Sequence, residues 1–506
     1  MKSVSVARSA AALLCATVVV LLTGCGYRPY KTTENQFAGR PVPPSKLTQR
    51  VMVAISQASL LGGGLEVLDA KRDIRSNVYV ANSTTMISAY SSNAKSIINY
   101  PEQMRGYVYS SDGAINTINY STEAAAGTTA STTGALSSYF VSQDVYSVLT
   151  AVESSGLFVM NQPSTASATS TSVMATYSFP VPSVYKVVAN PSHSVILLML
   201  RNSNNVYRVL QLNNSSNTSS GTQAPPADAL TCMPVNNPLY CIVPVNAPDG
   251  SSGGVPAPTF HRPYDAYFSP DGSQVYFLNC GRECGGTAAT GDDVAGVSFV
   301  NLNQLRIDYY PTSGSSVVPV SSFTAVPGGA TAAISDGNTL YVSGQSLQTD
   351  GLFGGNLSVI PLSTKAISAT YSISDGTHTK MLFADNNTLW IGSSNCASGE
   401  RAAHNQNYNC LTRYDITNKA AAIVPNVTPG GTTTVPYPNE NLDKYYYGSL
   451  TGLCWVENLN KVYTAYGGQV HAFNTADGSE IDNTNITVQG TANDVAYMDA
   501  STNEAN

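Results

Sequence analysis

Charge is what this 506-residue chain has least of. Only 11% of its residues are Asp, Glu, Lys or Arg, against about 25% in an average soluble protein. The deficit falls hardest on the basic side: 25 Lys and Arg face 32 Asp and Glu, a net charge of −7. A sparse, acidic surface excludes nucleic acid as a natural partner, because phosphate neutralisation needs clustered cations. Histidine is scarce too, with five residues at His193, His261, His378, His404 and His471. None form an H-E-x-x-H pair, and neither a G-x-S-x-G elbow nor a G-x-x-x-x-G-K-[ST] loop occurs, so the common metalloprotease, hydrolase and nucleotide signatures are missing. The one marked apolar run, ending at Leu22, is shorter than the roughly 18 residues a permanent membrane span requires.

Ser, Thr, Asn, Gly and Tyr fill the space that charge leaves. Ser, Thr and Asn compete with the helix for backbone hydrogen bonds and favour turns and strands. The middle and end of the chain repeat one grammar: an apolar run, a turn, a returning run with an aromatic residue, then a third run. Ala266-Tyr267-Phe268-Ser269 leads into the turn Pro270-Asp271-Gly272, and Val275-Tyr276-Phe277-Leu278 returns. Pro fixes φ and Gly permits positive φ, which gives the turn its mechanism. The returning aromatics Tyr276, Tyr341, Trp390 and Tyr463 recur at intervals that suit propeller blades with loops of unequal length. The expected architecture is all-β: a single propeller over 51–506, with seven blades preferred and eight possible. A tandem of β-sandwiches is the alternative. The run Asp494 to Ala500 reads as an inner strand whose partners are missing, and 77–91 reads as outer strands without an inner one. Pairing the chain's two ends would close the ring.

The basic start (Lys2, Arg8), the run Val18-Val19-Val20-Leu21-Leu22 and the sequence Leu22-Thr23-Gly24-Cys25 resemble a bacterial lipoprotein signal peptide with its lipobox. That resemblance implies that 1–24 is removed and that Cys25 is acylated and becomes the N-terminus. Gly26, rather than Asp, implies delivery to the outer membrane. Segment 25–50 is then a lipidated, flexible tether, and the membrane is a partner through the lipid. The repeats, in turn, resemble the YVTN-type β-propeller proteins, on Asn77-Val78-Tyr79-Val80-Ala81-Asn82, Ser269-Pro270-Asp271-Gly272 with Tyr276, and Asn338-Thr339-Leu340-Tyr341-Val342.

Cys232/Cys241, Cys280/Cys284 and Cys396/Cys410 lie close in sequence within loop-rich stretches, which suits disulfides in an oxidising compartment. Six cysteines permit fifteen connectivities, of which pairing of sequence neighbours is expected. A metal site at Cys280-Gly-Arg-Glu-Cys284 is the rival reading, without a second Cys/His pair at zinc spacing to support it. Cys454, in an apolar run, reads as a buried free thiol. Flexible loops are expected at 122–138 and 163–172, with longer ones at 213–263 and 425–447, the last ending in Lys444-Tyr445-Tyr446-Tyr447.

The best polar cluster is His261-Arg262-Pro263-Tyr264-Asp265, just ahead of an inner strand and hence near a channel mouth. His261, Arg262 and Asp265 are its candidate ligand contacts, with a loop salt bridge as the plainer reading. Asp292-Asp293 could join a calcium site, but the ligand ladder of a calcium loop is missing. No catalytic residue, metal ligand or cofactor is assigned. The expected function is a non-enzymatic, lipid-anchored binding or scaffold module of the cell envelope, monomeric, with an envelope protein or glycan as partner. A lactonase-like hydrolase, a quinoprotein-like oxidoreductase and an outer-membrane assembly factor are the alternatives.

Overall fold

The computed structural model describes residues 39–56, 64–75, 93–144, 147–163, 174–212, 223–235, 238–246, 260–284, 294–310, 315–348, 353–396, 409–425, 447–481, 486, 488 and 490–503. They form eight antiparallel sheets. Taken as blades 1 to 8 in chain order, seven are built from consecutive strands. Blade 1 combines the two ends of the chain: Thr491–Tyr497 pairs with Arg50–Ser56, followed outward by Gly64–Asp69 and Ile74–Arg75. The inner strands of blades 2 to 8 are Ala94–Tyr100, Ser138–Val141, Val184–Ala189, Pro263–Phe268, Gly329–Ser335, Thr377–Ala384 and Leu450–Val456.

Alternation of side chains along each strand gives every blade two apolar faces. The buried residues accordingly form a separate apolar layer between each successive pair of blades. Leu149, Phe158 and Phe179 of blade 3 meet Val187, Leu198 and Val209 of blade 4. Tyr276 and Phe299 of blade 5 meet Leu340 and Val342 of blade 6. Between blades 8 and 1, Val51, Val53 and Val495 pack with Tyr463 and Cys454. Cys454 is a buried free thiol within that layer, and burial pushes its ionisation far up, so it stays protonated and inert.

The turns form as their residues dictate. Gly272 adopts φ +69° in the Pro-Asp-Gly turn, and Asn386 and Asn387 take left-handed φ of 63° and 54° between the first two strands of blade 7, a conformation that Asn tolerates better than most residues.

The blade number is eight, where seven was preferred. The additional blade is blade 2, whose outer strand Ala124–Ser131 falls within the expected loop at 122–138. Its sequence, AAAGTTAS, has low strand propensity and an exposed surface, so composition points to a loop while edge pairing makes it a strand. Two strands, Thr231–Pro234 and Leu239–Pro244, likewise lie inside the stretch expected as a loop at 213–263, and they extend blade 4 to five strands. The end of the expected tether at 25–50 is also not free. Arg50 begins a strand, and Arg40 and Ser45 are bonded to Asp499 and Glu123. Outside the described residues lie Cys25, 77–91, 164–172, Asp292, Asp293, Lys444, Tyr445 and Tyr446. Among the described residues no helix is long and apolar enough to cross a membrane.

Candidate binding site at the channel mouth

Seven of the eight inner strands carry a register shift near their N-terminal end. The residues passed over by pairing are Lys95, Tyr185, Tyr264, Thr331, Thr379, Thr451 and Asn493. A bulge bends the strand and re-aims the side chain at that point. Repeated around the ring, the bulges turn one end of the channel into a rim of redirected side chains. Blade 3, with the short strand Ser138–Val141, has no such shift.

A cavity of about 300 Å³ opens on this rim across blades 4 to 7. Blade 4 contributes Tyr185, Leu200, Arg201 and Asn202; blade 5 contributes Arg262, Pro263, Tyr264, Glu283 and Cys284; Gln345 and Phe353 come from blade 6 and Thr377 from blade 7. Its walls are held from behind by polar contacts. The Tyr185 hydroxyl donates to the carbonyls of Pro263 and Tyr264 at 2.8 Å each, and burial pushes its ionisation well up. Arg201 is bidentate to Glu153 at 2.9 and 3.0 Å and stacks on Tyr185, 4.4 Å from the ring centroid. The Glu153 carboxyl is held below its usual range by that hydrogen bond.

Arg262 has φ +55°, and its amide donates to Asn204 Oδ1 at 2.8 Å. The carbonyls of His261 and Arg262 accept from Gly281 and Cys280, which ties the entry of the inner strand to the short turn Gly281–Cys284. The Cys280–Cys284 disulfide staples that turn, and Glu283 Oε2 accepts from the Leu347 amide at 2.8 Å. A Cβ on Gly329 would lie 2.6 Å from Cys280 Sγ, so glycine is what lets blade 6 approach the staple. The other two disulfides also join sequence neighbours, Cys232 to Cys241 and Cys396 to Cys410.

A second cavity, of about 280 Å³, lies in the channel wall and is lined by Ile97, Thr379, Lys380, Met381, Leu382, Leu453, Asp494 and Val495. Asp494 is buried there; it accepts from the amides of Ile97 and Val495 at 2.9 and 3.0 Å and from Lys380 Nζ at 3.4 Å. Desolvation raises its pKa, against the pull of Lys380. Among the described residues no group of three His, Cys, Asp or Glu side chains is placed to hold a metal ion.

The expected trio of ligand contacts is split. Arg262 lines the mouth cavity together with its neighbours Pro263 and Tyr264. Asp265 is instead paired with Lys186 of the adjacent inner strand, a salt bridge between two strands rather than within a loop. His261 packs edge-on against Phe323, with centroids 5.4 Å apart. Tyr447 is buried, its hydroxyl donating to Glu480 at 2.8 Å, and so offers no exposed recognition surface. Arg201, Glu283, Gln345 and Phe353 were not singled out from sequence. Glu283 had one legible signal, its place between two cysteines four residues apart.

No protein-family model matches the chain, and no curated protein does either. The chain is similar to a dihydro-heme d1 dehydrogenase, NirN, solved in complex with DHE, at 11% identity and a TM-score of 0.51, covering 89% of this chain and 75% of that one. The β-propeller domain of Myceliophteria thermophila Cps50 (Swd1) aligns at 9% identity and a TM-score of 0.44, over 76% of this chain and 98% of that one. Kuenenia stuttgartiensis hydrazine synthase aligns at 10% identity and a TM-score of 0.43, over 76% and 96%. At 11% identity the likeness to the first of these is one of fold alone, and the eight sheets with an apolar layer between successive blades make that fold a β-propeller.

Proposed function

We propose that the protein is a lipid-anchored binding propeller of the bacterial cell envelope, which takes a small polar ligand at the channel mouth between blades 4 and 7. The observation that carries this reading is the mouth cavity itself. Four blades converge there with a compact set of aromatic and polar side chains, held from behind by the hydrogen bonds of Tyr185, Glu153 and Asn204. A concave, partly apolar wall with a few fixed polar groups is the usual form of a small-molecule site. Rigid strands carry most of these groups, which limits the ordering cost of binding. In this reading the pairing of Arg50–Ser56 with Thr491–Tyr497 holds the ring shut, and acylated Cys25 keeps it at a membrane surface. The lipobox pattern Leu22-Thr23-Gly24-Cys25 supports the anchor.

Native mass spectrometry of the protein purified from envelopes tests the site. The wild type carries a small bound molecule, and Tyr264→Ala loses it with the fold intact by circular dichroism. Equal occupancy in both proteins contradicts the reading. For the anchor, Cys25→Ser shifts the protein from the membrane to the soluble fraction; a variant that stays membrane-bound contradicts it.

One observation favours an enzymatic reading instead. A buried carboxyl with a raised pKa beside a lysine, at the wall of a cavity, is the arrangement from which general acid–base catalysis is built, and Asp494 with Lys380 has it. Turnover of any substrate abolished by Asp494→Asn, with Tyr264→Ala unaffected, would move the function from the mouth to the channel wall.

A further inference from the structure

We propose that the ligand class of the mouth cavity is a neutral saccharide. This rests on the reading that the cavity is the binding site, and it names what enters.

Three features point to a polyhydroxylated, uncharged molecule. The first is an acceptor without a donor. Gln345 lies on the cavity wall and is 4% exposed, yet its Oε1 has no hydrogen-bond partner among the described residues. A buried acceptor left unmade costs about 1–3 kcal/mol, so an incoming group that donates recovers free energy there. An ionised carboxylate cannot donate, whereas a hydroxyl can. The second is the charge around the rim. Arg201 is matched by Glu153, and Lys186 by Asp265. Arg262 and Glu283 bring one charge of each sign to the wall, so burying a charged ligand would cost its desolvation without a net counter-charge.

The third is the pairing of aromatic faces with planar polar groups. Tyr264 and Phe353, both half-buried, stand in the same wall as Glu283 and Arg262. A sugar ring presents an apolar C–H face that suits an aromatic ring and an edge of hydroxyls that both donate and accept. Carboxylate and amide oxygens take the donated protons, and guanidinium N–H groups supply the lone pairs with donors. The volume, about 300 Å³, lies at the small end of the range for ligand pockets, about 300–1,000 Å³. It suits one ring or the end of a chain rather than an extended glycan.

Isothermal titration of the full-length, detergent-solubilised protein tests the assignment. The probes are glucose, galactose, mannose, N-acetylglucosamine and their common disaccharides, with inorganic phosphate, citrate and spermidine as charged counterparts. At least one neutral sugar binds the wild type. Its affinity falls at least tenfold in Gln345→Leu and in Tyr264→Ala. The melting temperature of Gln345→Leu is unchanged or raised, because the substitution removes an unpaired buried acceptor; a purely structural role for Gln345 would lower it. Binding of phosphate or citrate without sugar binding, lost in Arg262→Ala, overturns the saccharide class while the mouth remains the site. Sugar binding unchanged in both Gln345→Leu and Tyr264→Ala overturns the placement as well. A panel in which no probe binds at millimolar concentration overturns the proposal.

Discussion

At the scale of single residues, burial decides which groups titrate. His378 is wholly buried; its Nε2 bonds to the Ser374 carbonyl at 2.7 Å and its Nδ1 has no partner among the described residues. Burial holds its pKa down to about 4, from an ordinary 6.5. The folded state therefore binds fewer protons than the unfolded chain between these values, and stability rises with pH across that window. The penalty from His378 is absent above pH 6.5 and grows as pH falls, reaching about 3 kcal/mol near pH 4. Denaturant melts at pH 4.5 and 7 check this. His378→Gln, which keeps a donor for Ser374, flattens the pH dependence relative to wild type, and an unchanged slope contradicts the assignment. Asp494 works in the opposite direction, since its raised pKa makes its ionised form the destabilising one. Residue-scale chemistry was only partly legible in sequence. Arg262 was found because it stands just ahead of an inner strand. Gln345 and Arg201 were not, since nothing in their local sequence separates them from ordinary strand-end residues.

The element that matters most is the staple of blade 5. The turn Gly281–Cys284 presents Glu283 to the mouth cavity, and its disulfide and its contact with blade 6 fix where that carboxylate stands. Gly329 is the tightest point of that contact: an added Cβ would meet Cys280 Sγ at 2.6 Å, the Cys280 carbonyl at 2.8 Å and Glu283 Cβ at 3.0 Å. Gly329→Ala accordingly destabilises the protein by about 1–3 kcal/mol, the usual cost of overpacking, and weakens ligand binding by displacing Glu283. Thermal melts paired with titration check both effects, and full affinity in the variant would show that the staple does not set the site. Elements were legible where a turn announced them, as at Pro270-Asp271-Gly272. They were not where pairing overrode composition. The Ala-, Gly- and Thr-rich strand Ala124–Ser131 is held by its neighbour Ala114–Asn119, and no local propensity marks it. The inner strand Ser138–Val141 is only four residues long and begins at the last residue of the stretch expected as a loop.

At the scale of the whole molecule, the two ends of the chain meet in blade 1, and one arginine ties them together. Arg50 is 1% exposed. Its Nε and Nη2 donate to Asp499 at 3.0 and 2.6 Å, and its Nη1 donates to Glu123 at 2.9 Å and to the Tyr120 carbonyl at 2.7 Å. The N-terminal strand, the C-terminal segment and blade 2 thus share one buried cation. Removing it leaves Glu123 buried with Ser45 in place of a cation, while Asp499 keeps Arg40, and breaking such a buried pair costs about 3–5 kcal/mol. Arg50→Ala should lower the denaturation midpoint accordingly. The double variant Arg50→Met/Asp499→Leu should recover part of the loss, and a single variant as stable as wild type would contradict the role. That a ring of blades was intended could be seen in the recurring aromatics Tyr276, Tyr341, Trp390 and Tyr463. How the blades bring Arg201, Arg262, Glu283, Gln345 and Phe353 to one rim could not, because the convergence depends on the angular spacing of eight sheets rather than on any local pattern.

Hydrogen–deuterium exchange with a saturating neutral sugar, compared with the sugar-free protein, tests the mouth as the binding site most directly. Protection confined to the rim segments 200–202, 262–264, 281–284 and 345–348 is the predicted result. Protection confined to 379–382 and 494–495, around the cavity in the channel wall, would contradict it.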